Sequence, residues 1–269
     1  MSSCIVILSF NHPEITARTV RSAQQFNLPI ILVHNGSLEK HREKLLGDFP
    51  EIRHLILENN LGYSGGVNAG LEHAFVEYNW AVFLTNDTEL LQLGAMPEQP
   101  AFVAPLIFFR KLNRIDSMGG TFVPYLAKLK HIKNDQYRFA FNEYFYVPGT
   151  AFLLHRDVYF KINKFNTSLH TYWEDVDFSM RAHLSNSLIY YSSDYQVLHR
   201  VGKTCHDNPF YTTYLYQRNR KKISWKYCPF FLKPILIFIF LADFYKQLIK
   251  LFNTKDKSRF ILYLRSLRE

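Results

Sequence analysis

The sequence predicts an α/β fold built on a doubly wound, mostly parallel sheet. Three observations carry this. Short apolar runs recur at residues 4–10, 30–33, 52–57 and 80–84, stretches with helical spacing lie between them, and polar residues close each run. Four strands alternating with three helices in the first 90 residues match crossover units, because parallel neighbours need a connection that crosses the sheet. Ligands of such sheets bind beyond the carboxyl ends of the strands.

In chain order, the strand at 4–10 closes on Asn11-His12-Pro13, and helical spacing over 14–26 leads to the strand at 30–33. That strand ends at His34-Asn35-Gly36-Ser37; a helix over 38–46 then precedes the strand at 52–57. A glycine-rich turn comes next, from Asn59-Asn60-Leu61-Gly62 through Gly65-Gly66-Val67-Asn68-Ala69-Gly70. It reads either as a tight loop or as a diphosphate site, where glycines admit a ligand and a helix start offers free N–H groups. Its spacing is neither that of a P-loop nor that of the dinucleotide motif. The run at 80–84 closes on Thr85-Asn86-Asp87-Thr88. Asp87 either caps the next element of the chain or holds a divalent cation together with a diphosphate.

An apolar run at 102–109 leads into a stretch, from Gly119-Gly120 to residue 145, that reads as a hairpin-like insertion. The core resumes at 147–154, and the chain continues through 156–161 to Tyr172-Trp173-Glu174-Asp175-Val176-Asp177. Good helix formers come after, so the acids fall in a first helical turn, where the dipole favours negative charge. One cap uses one carboxylate, and three remain to be explained. Such crowding is tolerable beside a cation or where one acid takes a proton, and two aromatics supply an apolar wall. The combination suits proton abstraction from a sugar hydroxyl. Short strands at 188–191 and 195–198 come next, the second ending at His199, a candidate metal ligand.

The chain has 269 residues, 48% hydrophobic and 16% aromatic, enough for one large domain or a domain with an appendage. Its net charge is +9, and residues 200–269 hold 15 of the 32 Lys/Arg but only 4 of the 23 Asp/Glu. The basic excess is therefore C-terminal, which points to an anionic partner surface. Cys4, Cys205 and Cys228 lack metal-site spacing and read as free thiols in a reduced compartment. No basic-then-apolar leader opens the sequence, which argues against a secretory signal.

Over roughly residues 3–220 the chain resembles the family 2 inverting glycosyltransferases of the GT-A fold, in particular the rhamnosyltransferase-like branch that builds bacterial surface polysaccharides. The resemblance rests on an ordered set: Ser9-Phe10-Asn11, Asn35-Gly36-Ser37, Asn60-Leu61-Gly62 through Asn68-Ala69-Gly70, Asn86-Asp87-Thr88, and Trp173-Glu174-Asp175-Val176-Asp177. His199 with Gly202, and Tyr214 with Arg218-Asn219, also fit. It implies that Ser9, Asn11, Asn35, Asn60, Gly62 and Asn68 serve the nucleotide. Asp87 and His199 would hold Mg²⁺ or Mn²⁺ on the diphosphate. Asp175 would be the general base, with Glu174 and Asp177 orienting it, the acceptor or nearby cations, and with Tyr172 and Trp173 stacking on sugar. The family usually has an acid where this chain has His34, and often an Asp or Asn where it has Thr85.

These features predict a GT-A domain over 1–220 and a basic amphipathic tail over 221–269. The uncharged run at 235–242 is about half the ~20 residues a membrane span needs. Flanked by Lys, Arg and aromatics, it suits a helix in the membrane interface, or else a core-packed helix with a basic solvated face. The expected enzyme moves sugar from a nucleotide donor, dTDP-rhamnose in that branch, to a lipid-linked glycan at the cytoplasmic membrane surface, with no nucleic-acid partner. The rival reading is a non-catalytic, membrane-associated assembly subunit that keeps the fold.

Overall fold

The computed structural model describes residues 2–109, 114–134, 136–200, 209–254 and 257–268. Its first half alternates as expected: β1 (Ser3–Ser9), α1 (Pro13–Gln24), β2 (Ile30–Asn35), α2 (Glu39–Asp48), β3 (Arg53–Leu57), α3 (Gly62–Ala74) and β4 (Trp80–Thr85). β5 (Thr88–Leu93) and β6 (Ala101–Phe109) extend the sheet, and β7 (Ile115–Ser117) pairs with β6. The region read as a hairpin-like insertion is a separate three-stranded antiparallel sheet of β8 (Gly120–Val123), β9 (Lys128–His131) and β10 (Tyr144–Tyr146). β11 (Ala151–His155), α4 (Arg156–Ile162), α5 (Glu174–Leu184) and β12 (Leu188–His199) complete the main body. Three helices end the chain: α6 (Pro209–Tyr227), α7 (Lys233–Thr254) and α8 (Lys257–Arg268).

Along the main sheet the order is β3-β2-β1-β4-β11-β6-β12-β5. β3, β2, β1 and β4 are parallel, β11 runs antiparallel to β4 and β6, and β12 is parallel to β6. β1 is buried on both faces, which is why its sequence is a continuous apolar run rather than an alternating one. Val6 and Leu8 join one cluster with Val67 and Leu71 of α3 and Phe178 of α5; Ile5 and Ile7 join another with Ala17 and Val20 of α1. Four rings tie α5 to the sheet: Phe83 stacks on Phe152 at 4.6 Å, Phe152 on Phe165 at 5.8 Å, and Phe165 on Phe178 at 4.2 Å. Such pairs contribute about 0.5–1.5 kcal/mol each beyond their buried area.

Two local expectations change. The glycine-rich stretch expected as a turn is mostly the helix α3, which begins at Gly62. Its glycines let it lie against the sheet: a Cβ on Gly66 would meet the Leu8 side chain at 2.6 Å, and one on Gly70 would meet Val6 and Val33 at 2.8 Å. The two strands expected at 188–191 and 195–198 are one strand, β12, with its pairing to β6 shifted between Ser192 and Gln196. Such a bulge interrupts the sequence pattern without ending the strand.

The boundary expected at 220/221 falls inside α6, which packs against α5, α7 and α8. No helix among the described residues is long and apolar enough to cross a membrane. α7 buries Leu236 against Ala127 and Cys228, yet presents Phe238, Leu241, Tyr245 and Ile249 along one exposed stripe, continued by Phe230 and Phe231. Cys4 and Cys228 are free, buried thiols; Cys205 lies outside the described residues.

Candidate active site

α5 begins at Glu174, as the acid-rich turn predicted, and three unusual backbone conformations set its direction. His170, Tyr172 and Trp173 have φ of 63°, 68° and 70°. Non-glycine residues in that region cost about 1–3 kcal/mol each, so the turn needs external support. Asn219 of α6 supplies it, donating its amide to the carbonyls of Leu169 (2.8 Å), Thr171 (2.9 Å) and Tyr172 (2.8 Å). Arg218 adds bonds to the carbonyls of Ser168 and Leu169. The twist turns the Trp173 ring inward, where it is 2% exposed and meets Phe122 and Tyr216 edge-on. The expected sugar-stacking face of Trp173 is thus covered by protein, while Tyr172 remains partly exposed.

The three carboxylates have three different surroundings. Asp175 is partly exposed; its Oδ2 accepts the Gly149 N–H at 2.9 Å and its Oδ1 the Val176 N–H at 2.8 Å. Burial raises its pKa, opposed by those two N–H groups. Glu174 is 5% exposed, its Oε2 has no hydrogen-bond partner, and burial followed by the Asp175 charge pushes its pKa well up. Two adjacent acids with separated affinities for a proton suit acid–base work. Asp177 is fully buried and held by Arg181, Lys226 and Tyr227, each at 2.8 Å. Burial opposes its ionisation, but Arg181 and Lys226 win and lower its pKa. Its position ties α5 to α6.

Loop 147–150 joins this cluster to the carboxyl end of β4. The Ser179 hydroxyl accepts the Val147 N–H (3.1 Å) and donates to the Asp175 carbonyl (2.7 Å). Tyr63 donates to the Gly149 carbonyl. A Cβ on Gly149 would lie 2.8 Å from the Tyr63 hydroxyl, so no larger residue fits this approach. Next along the loop, the Thr150 carbonyl accepts the Thr85 N–H (3.0 Å), and the Thr85 hydroxyl, 3.1 Å from that carbonyl, donates to Asp87 Oδ1 (2.7 Å). Thr85, at the position where an acid was expected, orients Asp87 instead.

β5, a strand, comes directly after Asp87, so no helix is there for it to cap. Its Oδ2 lies 3.3 Å from His199 Nε2, at the end of β12, and His199 Nδ1 lies 3.7 Å from Asp116 of β7. Asp116 also faces His131 of β9 at 3.8 Å. Burial would lower the pKa of His199, but Asp116 and Asp87 overcome it and hold the imidazole up at about 9. His131 and His199 together hold the Asp116 carboxyl well below its usual range. No three His, Cys, Asp or Glu among the described residues converge as a complete metal site. Asp87 and His199 nonetheless suit a divalent ion whose other ligands are diphosphate and water: a hard oxygen and a ring nitrogen stand 3.3 Å apart, and an ion there would displace the imidazole proton. Sequence reasoning missed Asp116 and His131, because β7 (three residues) and β9 (four residues) are too short to carry a periodic signal. Gly202, beyond His199, lies outside the described residues.

The residues expected at the nucleotide are mostly engaged within the protein. Ser9 is buried, with its hydroxyl 2.9 Å from that of Thr16. Asn35 donates to the Gly62 carbonyl (2.9 Å) and accepts the Leu61 N–H (2.9 Å), pinning the start of α3. Asn60 accepts the Gly62 N–H at 2.8 Å. Asn68 points inward, gripping both backbone groups of Phe165 and the Tyr159 hydroxyl. Asn11, in a left-handed conformation, bridges the ends of β1 and β2 by accepting the Leu38 N–H. His34 is fully buried and stacked on His54, its pKa pushed down to about 4, by burial first and His54 second.

Comparison with known proteins agrees with this architecture. The chain is similar in fold to a solved structure of S. aureus TarS in complex with UDP, with a TM-score of 0.51 and 12% identity over 82% of this chain. It spans 64% of that chain. A Drosophila galactosyltransferase 7 mutant in complex with manganese, UDP-Gal and xylobiose aligns with a TM-score of 0.43 and 10% identity, over 77% of this chain and 74% of that one. No curated protein sequence matches the chain. The sequence model described as Glycosyl transferase family 2 matches residues 4–162, more than half of the 269. With its mixed sheet and flanking helices of GT-A type, the chain belongs to glycosyl transferase family 2.

Proposed function

We propose that this protein transfers a sugar from a nucleotide-diphosphate donor to a hydroxyl of a lipid-linked surface-polysaccharide acceptor, by inverting single displacement. The observation that carries the reading is loop 147–150, whose adjacent residues Gly149 and Thr150 reach Asp175 and, through Thr85, Asp87. With Asp175 as base and Asp87 as the acid facing the diphosphate, that link supports attack opposite a departing diphosphate.

In this mechanism Asp175 Oδ takes the proton of the acceptor hydroxyl. The hydroxyl oxygen bonds to the anomeric carbon as the bond from that carbon to the diphosphate oxygen breaks. The nucleoside diphosphate leaves with the electron pair. Raised by burial, Asp175 is a stronger base than an ordinary carboxylate, and its fixed N–H donors hold it in place. Asp87 and His199 would hold Mg²⁺ or Mn²⁺, which supplies charge neutralisation for the leaving diphosphate. Asn11 and Asn60 hold the loops that would face the nucleotide, while Ser9, Asn35, Gly62 and Asn68 fix the framework behind them. Glu174 and Asp177 position α5, and Tyr172 would meet the sugar. dTDP-rhamnose is the donor that the family resemblance suggests. The exposed aromatic stripe of α7, with the basic helix α6 beside it, supports attachment to the inner face of the cell membrane, where a lipid-linked acceptor resides.

Asp175→Asn tests the reading. Transfer should fall about 10²–10⁴-fold, the usual contribution of a general base, while nucleotide affinity changes less than twofold. Equal losses of binding and turnover would remove Asp175 from the role of base.

A further inference from the structure

Beside the transfer site, the small sheet carries a second feature that the reaction as described does not use. A pocket of about 390 Å³ is lined by Lys130, His131, Lys133, Asn134 and Tyr137. No acidic residue among the described ones lines it. β9, which contributes Lys130 and His131, is one of the two edge strands of the small sheet, whose order is β10-β8-β9. Lys130 lies over the Tyr137 ring at 4.9 Å. The nearby Glu143 carboxylate accepts the Tyr137 hydroxyl and the Ala140 N–H and also acts on Lys130, so it offsets part of that charge and leaves Lys133 as the second ammonium group.

Two further observations give the pocket a direction. On one side, His131 lies 3.8 Å from Asp116, which faces His199 at 3.7 Å, and its ring is 6.5 Å from that of Tyr146 in β10. Through His131 the pocket therefore adjoins the Asp87–His199 side of the transfer site. On the other side, the turn joining β8 to β9 packs Ala127 and Tyr125 against Leu236 and Phe240 of α7. Arg220 of α6 bonds the Ala127 carbonyl and reaches Asp243 of α7. The small sheet thus spans from the Asp116–His199 pair to the helix with the exposed aromatic stripe.

We propose that this pocket binds the phosphate groups of a ligand of the neighbouring transfer site, through Lys130, His131 and Lys133. Two ammonium groups and an imidazole offer the multiple N–H donors that a phosphate ester or diphosphate takes up. The connection to α7 favours the diphosphate of a lipid-linked acceptor over that of the sugar donor. The assignment to the acceptor rests on the transfer reading given above; phosphate binding itself does not.

The test is calorimetric titration of the full chain with farnesyl diphosphate below its micelle concentration, with inorganic pyrophosphate, and with UDP plus Mn²⁺. Each is run on the wild type and on Lys130→Gln/Lys133→Gln, whose altered side chains are exposed. The expected result is a loss of tenfold or more for farnesyl diphosphate and pyrophosphate, with UDP changed less than twofold. If UDP weakens equally, phosphate binding stands and the pocket serves the donor. If no probe weakens in the variant, the lysines merely guard a free sheet edge, as such residues often do, and the proposal falls. Because these readouts are affinities, an inactive Asp175 variant that still binds farnesyl diphosphate separates this proposal from the transfer reading.

Discussion

The Asn219 amide lies 2.8 Å from the Tyr172 carbonyl, 47 residues away in sequence, and fixes the turn that aims Asp175. Replacing Asn219 by Ala removes an amide whose two N–H groups are shared among three carbonyls, of which Leu169 keeps Arg218. Two net hydrogen bonds at about 0.5–1.5 kcal/mol each predict a loss of roughly 1–3 kcal/mol in stability. Catalysis is expected to suffer beyond that: kcat should fall at least tenfold at temperatures where the variant is fully folded, with donor KM nearly unchanged. A variant that is merely less stable, with normal kcat when folded, would confine Asn219 to packing.

Thermal unfolding with dTDP, UDP, GDP and CDP, each with and without Mn²⁺, reports the donor. A nucleotide at 100 times its Kd should stabilise by about 2.7 kcal/mol, a rise of several degrees for a chain of this size. Asp87→Ala is expected to abolish the Mn²⁺-dependent part of that rise. Retention of the full metal-dependent rise in the variant would exclude Asp87 as a ligand.

His34 makes stability depend on pH. Its folded pKa of about 4 lies below the ordinary 6.5, so the unfolded chain binds more protons between those values. The contribution of neutral His34 is present above pH 6.5 and is lost as pH falls towards 4. Over that window the loss should be about 1–3 kcal/mol, since each tenfold difference in proton affinity is worth about 1.4 kcal/mol. Denaturant unfolding of His34→Gln should show a flatter stability curve between pH 7 and 4. Parallel curves for the two proteins would refute the assignment.

The exposed stripe of α7 predicts attachment to anionic vesicles. Phe230 is 86% and Phe238 70% exposed, unusual for large apolar side chains. Replacing Phe230, Phe231, Phe238 and Leu241 by Ser should reduce co-sedimentation with phosphatidylglycerol vesicles at least tenfold without lowering the unfolding temperature. Unchanged sedimentation would assign the stripe to another partner.

How far the sequence could be read depends on the physical origin of each feature. β1, β2 and β4 were legible because strands buried on both faces must be apolar throughout, and the acid-rich start of α5 because helix termini impose local chemistry. The inward turn of Trp173 was not legible, since it arises from left-handed backbone imposed by Asn219 from a distant helix. Asn68 carries the same lesson: its neighbours in sequence suggested a ligand, and its partners in space are Phe165 and Tyr159. Asp116 and His131 became neighbours only through the pairing of β7 with β6 and of β9 with β8.

Loop 147–150 makes its key contacts through main-chain atoms: the Val147 and Gly149 N–H groups and the Gly149 and Thr150 carbonyls. The spacing between Asp175 and Asp87 is therefore indifferent to most side chains on the loop, Gly149 excepted. Side chains around this hinge can change freely while the main chain keeps the separation that the proposed reaction needs.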